Sequence, residues 1–148
     1  MMREILFRGK YRYCNEWLYG DLTHGAPHGE EPMIRTHDRE LNGVFAVETD
    51  TVGQYTGITD KNGKRIFEGD IVECWSEGVC ARGTVQQRKD GMWIIYPAWQ
   101  KYIMWGLCPD EHLHTTVEVI GNIHDNPELV EIEDEEEEDK ICRRSRPR

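Results

Sequence analysis

The chain has 148 residues and a formal net charge of −10, with 38% apolar and 9% aromatic residues that include five Trp. That length suits one ordinary domain with trimmings at its ends, and that much buriable surface excludes a chain disordered throughout. The acidic balance argues against binding nucleic acid by charge alone, because phosphate contacts need clustered Lys and Arg.

No stretch approaches the roughly 20 apolar residues of a membrane span, so no membrane partner is expected. The opening Met1-Met2-Arg3-Glu4-Ile5 lacks the basic-then-apolar layout of an export signal, which points to the cytoplasm. Cys14, Cys74, Cys80, Cys108 and Cys142 are odd in number, scattered and without a CxxC pair. They read as free thiols in a reducing compartment, mostly packed as small hydrophobes.

In chain order, Glu4 to Gly9 is a short apolar run closed by Gly, and Glu16 to Leu22 sets Trp17, Tyr19 and Asp21 on one face and Leu18 on the other. These predict two strands joined by a polar turn near Lys10 to Asn15. Thr23 to Asn42, with Gly25, Pro27, Gly29, Pro32 and three His, reads as a long loop. Val44 to Glu48 resumes a strand. At Asp60-Lys61-Asn62-Gly63-Lys64, Asn-Gly predicts a tight primed hairpin turn with positive φ at both positions. Strand alternation follows from Ile66 to Trp75, bent at Gly69-Asp70, and again from Ala81 to Gln87. A turn at Lys89-Asp90-Gly91 leads to an apolar strand from Met92 to Tyr96, ended by Pro97. Thr115 to Ile123 reads as a last strand, and Asn126-Pro127 as a helix start with Asn126 at the N-cap.

Short strands about ten residues apart point to a mainly β fold, a small barrel or rolled sheet. The expected architecture is an SH3-like barrel from about Gly53 to Ile123, with an added N-terminal β element and a short C-terminal helix or acidic tail. In domain terms this is 1–50 for the N-terminal element and its loop, 51–130 for the barrel and 131–148 for a charged tail. That tail holds eight acidic residues from Glu131 to Asp139 and five basic ones from Lys140 to Arg148. Such a run cannot pack and reads as solvated, or as a mimic of nucleic-acid charge that contacts a basic partner.

Three segments resemble the YopX family of phage and prophage proteins. They are Arg3 to Lys10 followed by Trp17-Leu18-Tyr19-Gly20; Thr51 to Val72, containing Gly53-Gln54-Tyr55-Thr56-Gly57-Ile58-Thr59-Asp60-Lys61-Asn62-Gly63; and Val117 to Val130. The resemblance implies a phage-encoded protein similar to SH3-type barrels, from a family without an assigned biochemical activity, so it carries over no catalytic residue. The Thr23 to Asn42 stretch, the Trp93 to Trp105 region and the charged tail depart from the family pattern.

Two groups are candidate binding residues. Gln54, Tyr55, Thr56 and Asp60 would form a polar patch if adjoining loops presented them, although the glycines among them also read as folding grammar. Trp93, Tyr96, Trp99, Tyr102 and Trp105 recur every three residues; some must enter a core, and Trp99, Tyr102 and Trp105 could line a groove for a proline-rich peptide or stacked bases. An acidic body favours a host or phage protein as partner over nucleic acid. Cys108, His112 and His114 lie within seven residues, but the spacing matches no standard zinc site, and neither metal nor other cofactor is expected. Glu68 and Asp70 are the only carboxylates paired at a motif, and no GxSxG, glycine-rich phosphate loop or HExxH occurs. The residues therefore predict a non-enzymatic interaction protein, with self-association through a strand edge left open.

Overall fold

A computed structural model describes residues 3–25, 31–76, 79–96, 105–113 and 115–130. The strands are β1 (Phe7–Lys10), β2 (Trp17–His24), β3 (Pro32–Thr36), β4 (Val44–Ala46), β5 (Gly53–Thr59), β6 (Arg65–Phe67), β7 (Asp70–Ser76), β8 (Val79–Gln87), β9 (Trp93–Tyr96), β10 (Trp105–Gly106) and β11 (Glu118–Asn122). They form a six-stranded sheet in the order β4-β3-β2-β1-β5-β6 and a five-stranded sheet in the order β10-β9-β8-β7-β11. Every described pairing is antiparallel. The chain divides into two compact units, Met1–Gly57 and Ile58–Arg148.

In the first unit, strand alternation works as the sequence predicts. Leu18 turns inward to join Ile34 and Val47 in a core closed by Phe7, Tyr11, Leu22, Phe45 and Val52. Arg8, Lys10, Trp17 and Tyr19 take the other face, since Arg8 lies opposite Tyr19 and Lys10 opposite Trp17. The sheet curls until the end of β1 meets the residue after β4. Tyr11 bridges Val47, the Arg12 N–H donates to the Ala46 carbonyl at 3.0 Å, and the Glu48 N–H donates to the Lys10 carbonyl at 2.9 Å. Gly20 is required here by close approach, because a Cβ at that position would lie 1.9 Å from the Arg35 carbonyl oxygen.

The loop expected from Thr23 to Asn42 contains a strand. β3 pairs with β2 from Gly20↔Thr36 to His24↔Pro32, and Ile34 is fully buried. Its sequence, Pro-Met-Ile-Arg-Thr, is short and led by Pro, so local signals favour a turn. Pro at the first strand position costs no ladder bond, and burial of Ile34 decides the conformation.

The second unit is built on Ile58, Ile66, Val72, Val85, Ile95, Leu107 and Val117, with Cys74, Trp93, Trp105 and Val119 packed against them. β11 is irregular, its register against β7 shifting between Val119 and Gly121. Among the described residues the strands make two sheets, and neither closes as the barrel expected between Gly53 and Ile123 would; β10 and β11 are the edges of the second sheet. Residues 128–130 open a helical turn after Pro127, with the Leu129 N–H on the Asn126 carbonyl at 3.1 Å. The Asn126 side chain accepts the Asn122 N–H at 3.3 Å, joining this turn to the end of β11. No helix among the described residues is long and apolar enough to cross a membrane.

Candidate functional site

The Asp60 to Lys64 hairpin tip follows a different turn from the primed one expected. The Gly63 N–H donates to the Asp60 carbonyl at 3.0 Å and the Asp60 N–H to the Lys64 carbonyl at 2.8 Å. Gly63 has φ 81°, whereas Asn62 is not among the positive-φ residues. This is a type I turn followed by a left-handed glycine bulge, so only one of the two residues needs glycine's freedom. The β8–β9 connection repeats it: the Gly91 N–H donates to the Arg88 carbonyl at 2.9 Å, the Arg88 N–H to the Met92 carbonyl at 2.8 Å, and Gly91 has φ 93°.

What selects this turn is the Asp60 carboxylate. It is 1% exposed. Its Oδ1 accepts the N–H groups of Asn62 at 2.9 Å and Lys64 at 2.8 Å, and its Oδ2 accepts the Val119 N–H at 3.1 Å. One buried side chain thus shapes the hairpin and ties it to β11, two segments far apart in sequence. Asp70 does the same on a smaller scale, taking the Phe67 N–H at 2.7 Å to bend the chain between β6 and β7. A buried carboxylate bonded to backbone donors is held in place by them.

The other members of the expected polar patch lie on β5. The Tyr55 N–H donates to the Leu6 carbonyl at 2.8 Å, and the Tyr55 and Thr56 side chains are buried. Gln54, opposite Phe7 of β1, is half-buried. The residues come from loops only in the sequence reading; a strand alternates its side chains, so it cannot present Gln54, Tyr55 and Thr56 together.

Trp105 packs against the second core from β10, as Trp93 does from β9. Trp99 and Tyr102 lie outside the described residues. Cys108 is exposed and begins a turn that Asp110 organises, its carboxylate accepting the His112 N–H at 2.8 Å and its carbonyl the Leu113 N–H at 3.1 Å. Leu113 is the one described non-glycine residue at positive φ, 64°. His112 is exposed with Glu111 at 3.5 Å, and His114 lies outside the described residues. Cys14 and Cys74 are, like Cys108, free thiols, and among the described residues no three His, Cys, Asp or Glu side chains gather as a metal site would require.

The outward face of the first unit's sheet was legible only as strand grammar. There the Arg8 guanidinium lies 4.6 Å from the Trp17 ring centroid and the Lys10 ammonium 5.5 Å from it, while the Lys10 Nζ donates to Asn15 Oδ1 at 2.9 Å. Both cationic side chains are buried against the ring, and beside them Tyr19 is 45% exposed. Cation–π contact braces Trp17, which is partly exposed. Farther along β2, Asp21 pairs with His37 at 2.9 Å. A braced indole next to an exposed phenol is a rigid contact surface, since little side-chain entropy is left to lose on binding.

The YopX protein family model matches residues 6–131. Among solved structures, the chain is similar to protein EF1440 from Enterococcus faecalis, with 22% identity over 87% of this chain and 99% of that one and a TM-score of 0.53. At that identity the likeness concerns the fold. No curated protein matches.

Proposed function

We propose that this chain, which belongs to the YopX family, is a non-enzymatic phage or prophage accessory protein that works in the host cytoplasm by binding another protein. The observation that carries the reading is the burial of the family-signature carboxylates. Asp60 gives both of its oxygens, and Asp70 its Oδ2, to backbone N–H groups, and catalysis by general acid or base requires a group within reach of substrate. What remains on the surface is contact chemistry: Trp17 braced by Arg8 and Lys10, with Tyr19 beside it. Aromatic anchors of this kind carry much of the energy in protein interfaces. Within the second unit, the Gly-Asp-led β7, the Gly-Thr-Val of β8 and the aromatic β9 favour descent from an SH3-like roll.

The test is affinity capture from host lysate with the full chain, with Tyr19→Ala, with Trp99→Ala and with a chain ending at Val130. A partner retained by the full chain and lost by at least one variant that still folds supports the reading. Recovery of no specific protein by any of the four overturns it. Salt-sensitive retention of an oligonucleotide in place of a protein would move the function to nucleic-acid binding.

A further inference from the structure

Two Asn-Gly pairs occur in the described chain, Asn42-Gly43 and Asn62-Gly63, and both asparagines are exposed. By sequence alone they are equally prone to spontaneous deamidation, because a following glycine leaves its nitrogen unhindered. We propose that the fold separates them, making Asn42 the chain's site of self-modification and shielding Asn62.

The reaction needs the glycine nitrogen as nucleophile. That nitrogen gives its proton to water or hydroxide and bonds to the asparagine Cγ. The Cγ–Nδ2 bond breaks and Nδ2 leaves as ammonia with a proton from solvent. Water then opens the five-membered succinimide at either carbonyl, leaving aspartate or isoaspartate. At position 63 the nitrogen is engaged, its N–H donating to the Asp60 carbonyl at 3.0 Å. The flanking Asn62 and Lys64 N–H groups are fixed on the Asp60 carboxylate at 2.9 and 2.8 Å. Attack therefore requires the turn to open, with several hydrogen bonds broken together. At position 43 the carbonyl is used instead, accepting the Thr36 N–H at 3.0 Å. The Gly43 N–H has no acceptor among the described residues, and the segment from Asp38 to Asn42 is exposed.

The product has a structural consequence in the first unit. Isoaspartate adds a methylene to the backbone immediately before Gly43, whose carbonyl closes the β3–β4 hairpin on Thr36, and either product adds a negative charge to a loop that already holds Asp38 and Glu40. The hairpin end should loosen as the modification accumulates.

The full chain, incubated at mildly alkaline pH and mapped by peptide mass spectrometry, should gain aspartate and isoaspartate at position 42 about tenfold or more faster than at position 62, the factor set by the turn hydrogen bonds that must open. In concentrated urea the two rates should converge. Asp60→Asn should speed reaction at position 62 while leaving position 42 unchanged, and Asn42→Gln should remove the fast phase. Equal rates at the two positions in the folded chain, or a ratio that urea leaves intact, would overturn the proposal.

Discussion

Replacing Asp60 with Ala tests whether the Thr51 to Val72 segment that resembles the family is architectural. The carboxylate holds three backbone N–H groups at 2.8–3.1 Å from a site that is 1% exposed. Hydrogen bonds to a charged acceptor contribute about 1.5–3 kcal/mol each, and a buried donor left without one costs about 1–3 kcal/mol. Asn62 and Lys64 are exposed, so water can take over part of their need. The Val119 N–H, brought against the hairpin from β11, is harder to rehydrate. Together these give about 3–5 kcal/mol for Asp60→Ala, a large share of the roughly 5–15 kcal/mol that holds a domain folded. Asp60→Asn should cost less, about 1.5–3 kcal/mol, because one oxygen still serves the hairpin while the new amide meets the Val119 N–H donor to donor. Urea unfolding measures both. Hydrogen exchange should show the Lys64 and Val119 amides opening first, ahead of β8. An Asp60→Ala loss below about 1 kcal/mol with an unchanged m-value would refute the reasoning and return Asp60 to the list of functional candidates.

Other outcomes follow from the same geometry. Gly63→Ala should cost about 1 kcal/mol, since Gly63 has φ 81° with open space around it, whereas Asn62→Ala should be nearly neutral; equal losses in urea unfolding would restore the primed turn. Gly20→Ala should destabilise by more than about 3 kcal/mol, because the Arg35 carbonyl 1.9 Å from the new Cβ belongs to a paired strand that must move; a thermal midpoint equal to that of the unchanged chain would contradict the β2–β3 register. At Asp90, the Arg88 guanidinium and then the Met92 N–H hold the carboxyl below its ordinary range. A depressed folded pKa stabilises above the unfolded value, and that contribution disappears as pH falls through the folded one. The β8–β9 turn should therefore loosen only in acid, and Asp90→Asn should flatten this dependence in an NMR titration of the Gly91 amide.

The parts of the fold legible in the sequence are those where local signals and burial agree. Leu18 on the face away from Trp17 and Tyr19 follows from period two, the sites of the turns at Gly63 and Gly91 follow from glycine, and the β1–β2 connection falls where the polar residues place it. The alternation expected from Ile66, by contrast, gives way to adjacent buried residues at Ile66 and Phe67 and again from Asp70 to Val72. β3 was hidden because Ile34 is buried by partners on β2 and β4 that no local window contains. The same non-locality hid the role of Asp60. Its neighbours announce a turn, but its bond to Val119 spans a sequence separation of 59, and only that contact turns a surface aspartate into a buried anchor.

This distinction bears on where function should be sought. Residues that stand out in a family signature stand out for either of two physical reasons, contact with something outside the chain or an irreplaceable contact within it. Asp60, Asp70 and Gly63 have the second reason, in their bonds and dihedral angles. Trp17 has a different standing. Arg8 and Lys10 brace its ring on the side of the sheet turned away from the Leu18, Ile34 and Val47 core, so the core supplies no reason for a large aromatic there. A smaller residue there would uncover the buried Arg8 and Lys10, so the indole also serves the fold. Its partly exposed ring and the exposed Tyr19 beside it make the outward face of the N-terminal sheet the first surface to probe.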